Sequence, residues 1–278
     1  MRKTGFIIIA LLVVTTAYGQ QALRLPAASP KGSLMQTVGI TDITIDYSRP
    51  GVKGRQIWGG LVPYDQIWRT GANAATTIAF SDEVMVNGQQ LAKGKYALFT
   101  IPGRDQWTVV FNKQGEQWGA FNHDAAQDAL RVTVKPERAD FREWMGFEIP
   151  EMTTDTAKVV LRWENVAVPL TVDTQSIQRS LTAADRAITQ AASARWQTPY
   201  RAADFAFTNN RMDEAQKWLD MSLKESENTA TLWLKARMLA KQGKRADAVR
   251  AADAAIAKAT PQQADFASEI KKLSAEWR

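Results

Sequence analysis

The chain has no cysteine and one histidine, His123, among its 278 residues. Without cysteine it has no thiol nucleophile, no disulfide and no cysteine metal site, and the lipoprotein type of lipid anchor is excluded. A lone histidine rules out zinc held by two or three imidazoles. A Ser-His-Asp triad would have to run through His123, in WGAFNHDAAQD, and no nucleophile motif supports it. A phosphate loop and a glycine-rich dinucleotide fingerprint are also missing. Past the N-terminus, no run reaches the ~18 apolar residues expected of a membrane span. The sequence therefore implies no metal, no cofactor and no transmembrane span, and it specifies no reaction.

The first residues, MRKTGFIIIALLVVTTAYGQQ, carry an address. Arg2 and Lys3 precede the apolar run Phe6–Val14, which is too short to cross a bilayer, and Ala17 and Gly19 are small residues placed for cleavage. We read residues 1–19 as a signal peptide and 20–34 as a linker, which places the protein in the periplasm or outside the cell. Nucleic acid is set aside as a partner on that ground. The formal net charge is +6. Residues 21–175 hold 16 Lys and Arg against 17 Asp and Glu, and residues 176–278 hold 17 against 12, so the basic excess lies in the second part. A solvated helix face accounts for it most simply; anionic lipid, an acidic glycan or an acidic protein also fits.

Two periods divide the chain. From Met35 to Val172 apolar and polar residues alternate in short runs: Ile43, Ile45 and Tyr47, then Thr76–Phe80, Glu83–Val86 before Asn87-Gly88, Lys95–Ile101 before Pro102-Gly103, and further runs to Val172. Glu164-Asn165 reads as the turn of a last hairpin. About nine or ten strands with frequent turns predict an all-β antiparallel sandwich or barrel over residues 35–174. From about Ser176 the period becomes 3.6. Ala203, Asn210, Ala215 and Ser222 recur 33 residues later as Ala236, Gly243, Ala248 and Ala255. That spacing resembles tetratricopeptide helical hairpins, so residues 175–278 are expected to form an all-α helical-hairpin repeat domain, with flanking helices near 177–195 and 262–276. Trp196, Trp218, Trp233 and Trp277 read as its core.

Residues 47–77, YSRPGVKGRQIWGGLVPYDQIWRTGANAATT, combine five glycines and two prolines with Arg49, Arg55, Arg69, Trp58, Tyr64, Trp68 and Asn73. Such density marks a long ordered loop of the kind that carries function. Guanidinium groups beside aromatic rings suit an anionic or sugar-like ligand; the competing reading is that the arginines brace the loop through its carbonyls. His123 joins the ligand-binding candidates as a contact or proton shuttle, against a plainer role in a turn. Asp46, Asp65, Asp124 and Asp128 are the carboxylates for acid and base chemistry, although spacing pairs none of them.

The string from Tyr47 to Ser81 resembles the exported bacterial family called Domain of Unknown Function 2911. So do YALFTIP at Tyr96–Pro102, WTVVFNK at Trp107–Lys113, WGAFNHD at Trp118–Asp124 and LRVTVKP at Leu130–Pro136. The resemblance covers about residues 30–172 and implies a β-rich domain behind a signal peptide, with no catalytic residues to carry over. The chain departs from the family pattern at Asp65, where Gly is expected, and at His123, where Tyr is expected. Three functions compete: a binding module with a protein partner on the helical repeats, a carboxylate-based hydrolase of envelope glycans, and a structural or assembly factor of the envelope. The residues present fit binding better than catalysis.

Overall fold

The computed structural model describes residues 25–190 and 195–278. The expected signal peptide and the start of the linker lie outside the described residues. Residues 31–173 form two antiparallel sheets, and six helices follow in 176–277. The strands are β1 (Lys31–Val38), β2 (Thr41–Ser48), β3 (Thr76–Phe80), β4 (Val84–Val86), β5 (Gln89–Leu91), β6 (Gly94–Ile101), β7 (Trp107–Asn112), β8 (Asp128–Val134), β9 (Glu137–Met152) and β10 (Thr156–Asp173). One sheet runs β1-β2-β3-β6-β7-β8 and the other β5-β4-β10-β9. β1 begins inside the stretch read as linker.

Alternation drives the packing. In β2, Ile43 and Ile45 point inward while Asp42 and Asp46 point out. They meet Phe80, Leu98 and Phe111 from their own sheet and Met145, Leu161 and Leu170 from the other, giving one continuous sandwich core. Asn87 and Gly88 both have positive φ, 47° and 79°, as a two-residue hairpin between β4 and β5 requires.

The last hairpin expected at Glu164-Asn165 is absent. β10 runs through these residues as a single strand of 18 paired with β9. Glu164 has φ +52° and the register shifts on both sides of it. The turn-like dipeptide is a bulge, which bends a strand without reversing it.

β6 and β7 are buried on both faces. Their outer side carries a second small cluster, Ala97, Phe99 and Val110, covered by Ala120 from the connection between β7 and β8. That connection covers part of the outer face of β6 and β7, and the outer face of β1 and β2 stays open, with Ser33, Met35, Asp42 and Asp46 exposed.

The helices are α1 (Ser176–Gln190), α2 (Gln197–Thr208), α3 (Met212–Glu225), α4 (Thr229–Lys241), α5 (Arg245–Ala257) and α6 (Ala264–Ser274). α2–α3 and α4–α5 are the two repeated hairpins. Ala203, Ala215, Ser222, Ala236, Ala248 and Ala255 are all fully buried, so the small residues sit where helices touch. Asn210 (φ +60°) and Gly243 (φ +77°) occupy equivalent left-handed positions in the two turns. Trp218 and Trp233 are buried, Trp277 stacks on Trp233 at 5.4 Å, and Trp196 is half-buried against Tyr200.

Candidate functional site

The loop between β2 and β3 sends its two tryptophans inward. Trp58 lies 4.9 Å from Trp107, 5.7 Å from Trp163 and 5.8 Å from Trp68, and Trp68 stacks on Trp163. The Trp68 indole donates to Gly71 O at 3.1 Å. Two expected ligand contacts are therefore part of the sandwich core: a long loop crossing a two-sheet structure closes it by burying its largest apolar side chains. Tyr64 lies under the Arg104 guanidinium at 4.9 Å.

The three arginines take separate places. Arg49 donates from Nε to Met145 O of β9 at 2.9 Å. Arg55 folds back on its own loop, donating to Val52 O at 3.1 Å and Gly51 O at 2.6 Å. Both do what the bracing reading expected. Arg69 is different. It has no acceptor among the described residues, its Nε is buried without a partner, and burial pushes its pKa down.

The loop holds strain. Lys53, Asp65, Thr70 and Asn73 all have φ between 48° and 60°. For the β-branched Thr70 this conformation is rare. It is held by a hydrogen bond from Thr76 Oγ1 to Thr70 O at 2.6 Å, and the single proton of Thr70 Oγ1 has Thr100 Oγ1 at 3.2 Å and Trp68 O at 3.4 Å as alternative acceptors. Such strain persists only where surroundings impose it, and it gathers at functional segments.

Asn73 ties the loop to a second element. Its amide donates to Ser48 Oγ at 3.3 Å, and its carbonyl accepts from Gly119 N at 3.1 Å. Ala75 N donates to Gln117 O at 2.9 Å, so Ala74 and Trp118 face each other across a short bridge. Together these bonds fix Trp118, 68 % exposed, beside an open groove of about 740 Å³. Ser33, Asp46 and Thr77 stand on the open sheet face and contribute to it, and Lys95, Glu116 and Gln117 stand at the wall. Trp118 was not among the residues expected from the sequence. WGAFNHD contains it, but an exposed and a buried tryptophan look alike in sequence; only the pairing with Asn73 and Ala75 distinguishes it.

His123 closes the far end of the same connection. Its ring packs on Phe99 at 5.2 Å and its Nε2 lies 2.9 Å from Asp128 Oδ1. Asp128, its side chain only 5 % exposed, also accepts from Asn112 Nδ2 at 2.8 Å and from Arg131 Nε at 2.8 Å. Burial pushes the Asp128 pKa up, but the hydrogen bonds from Asn112, Arg131 and His123 outweigh it and hold the carboxyl below its ordinary range. Asp124 caps the short 3-10 turn at Ala125–Gln127, and Asp65 is an exposed turn residue. Asp46 accepts from Ser33 Oγ at 2.7 Å, and Glu116 lies 3.5 Å from Lys95. Among the described residues no cluster of three or more His, Asp or Glu side chains suits a metal ion.

The fold and groove define a two-part chain, a β sandwich with one open sheet face followed by helical hairpins. Residues 29–172 match the model of the family described as Protein of unknown function (DUF2911), and the chain belongs to that family. No curated protein and no solved structure matches it.

Proposed function

We propose that the protein is an exported binding module. Its β domain holds a small or extended ligand, anionic or sugar-like, in the groove formed by both ends of the 47–77 loop, and its helical hairpins dock a protein partner. Export rests on the basic, apolar and small-residue order of residues 1–19. The observation that carries the reading is the groove. It lies in the volume range of ligand sites, about 300–1,000 Å³, and it combines an exposed aromatic ring with a few polar groups. The carboxylates at the groove favour binding over hydrolysis, since Glu116 is paired with Lys95 and Asp46 is engaged by Ser33.

The test is a thermal-shift screen of a metabolite and saccharide library on the wild type and on Ala74→Arg. Ala74 is exposed at the groove, so the larger side chain fills it without disturbing the core. A ligand at a hundred times its Kd adds about 2.7 kcal/mol to stability. The reading expects that rise in the wild type and its loss in the variant. A rise of equal size in both proteins places the ligand elsewhere and overturns it.

A further inference from the structure

We infer that the groove takes a neutral carbohydrate, with a pyranose ring laid on Trp118. This rests on the reading that the groove is a ligand site, and it names the ligand class.

Charge is the first argument. The groove carries Lys31 and Lys95 against Asp46 and Glu116, two of each sign. An anion entering it meets two carboxylates, and a cation meets two ammonium groups. Like-charge juxtaposition excludes wrong partners. Of the three arginines that would select an anion, Arg49 is committed to Met145 O and Arg55 to Val52 O and Gly51 O, and the unpaired Arg69 is not among the residues that line the groove. A polyol suits such a site because each hydroxyl both donates and accepts.

Neutral polar groups are the second argument. Ser33, Ser48 and Thr77 line the groove, and a hydroxyl both donates and accepts, as the hydroxyls of a sugar require of their partners.

The ring is the third. Trp118 stays exposed although the neighbouring Ala120 packs against the Phe99 cluster, so the connection folds without using its largest side chain. Phe121, 84 % exposed, lies two positions beyond Gly119. The flat indole face offers an apolar platform for the C–H face of a sugar, while the polar groups around it address the hydroxyls.

Affinity electrophoresis of the full chain tests this, in native gels containing hydroxyethylcellulose or glucomannan as neutral polymers, or polygalacturonate as an anionic one. We expect retardation by a neutral polymer, a loss of at least tenfold in affinity for Trp118→Ala, and no loss for Trp144→Ala. Trp144 is the control because it is partly exposed outside the groove, under the Lys53 ammonium. Retardation by polygalacturonate alone, still dependent on Trp118, overturns the neutral class and leaves the groove a ligand site. Wild type and Trp118→Ala running alike on every gel overturns both.

Discussion

At the scale of single residues, Arg69 and Asp128 are opposites. Arg69 is half-buried and desolvated with no acceptor among the described residues, so it does not earn its place through stability. Replacing an unpaired polar group by an apolar one of similar length is close to neutral or stabilising. Arg69→Met is expected to leave apo stability within about 1 kcal/mol of wild type or raise it; urea unfolding checks this, and a larger loss reveals a bracing role. Asp128 is fully engaged. Its folded pKa lies below the unfolded value of about 3.9, so its stabilisation is complete above that pH and is lost as pH falls through the folded value. Asp128→Asn is expected to cost about 1.5–3 kcal/mol at neutral pH and to flatten the acid limb of the stability curve. Denaturant titrations at pH 7 and across the acid range measure both. Residue chemistry was legible in part. The arginine-rich loop announced itself, and Asp65, where the family resemblance expects Gly, has the left-handed φ of +58° that Gly would fit. Which arginine lacks a partner was not legible, because Met145 lies 96 residues from Arg49 in sequence.

At the scale of elements, period carried most of the information. The switch from alternation to 3.6 marked the end of the sheets, and the 33-residue spacing marked two hairpins whose turns place Asn210 and Gly243 in the same left-handed conformation. Misreading Glu164-Asn165 has a physical cause: a polar dipeptide in a strand is equally a turn or a bulge, and the choice depends on β9 lying alongside it over many residues. The hairpin turns can be tested as a pair. Asn210 and Gly243 hold the same left-handed conformation, which costs a residue with a Cβ about 1–2 kcal/mol unless its side chain is Asn or Asp. Gly243→Ala and Asn210→Ala are each expected to lose about 1 kcal/mol, while Gly243→Asn loses less than half of that. Equal losses for Ala and Asn at 243, measured by thermal unfolding, would show that the turn is not selected by backbone conformation.

At the scale of the whole molecule, the boundary near residue 174 is a change of secondary structure without a linker. Thr174 and Ser176 are buried. The first turn of α1 is completed by the β domain: Ile177 N donates to Asp155 Oδ1 at 2.8 Å, in the turn between β9 and β10. Ser176 Oγ accepts from Ile40 N at 3.1 Å, in the turn between β1 and β2, and Arg179 pairs with Asp82. None of this was legible in the sequence, since partners 22, 97 and 136 residues apart leave no local periodicity. The consequence is that α1 belongs mechanically to the sandwich, and Gly39 is the point that exposes it. Gly39 has φ +59°, and a Cβ there would lie 2.2 Å from Ser176 Oγ and 2.5 Å from Thr154 O. The left-handed backbone alone costs about 1–2 kcal/mol, so Gly39→Ala is expected to lose more than about 2 kcal/mol because α1 must also move. Once α1 has shifted, the Arg179–Asp82 pair is already broken, and adding Arg179→Ala to Gly39→Ala should cost less than it does in the wild type. Strict additivity of the two losses in urea unfolding would mean that α1 is held independently of the β1–β2 turn.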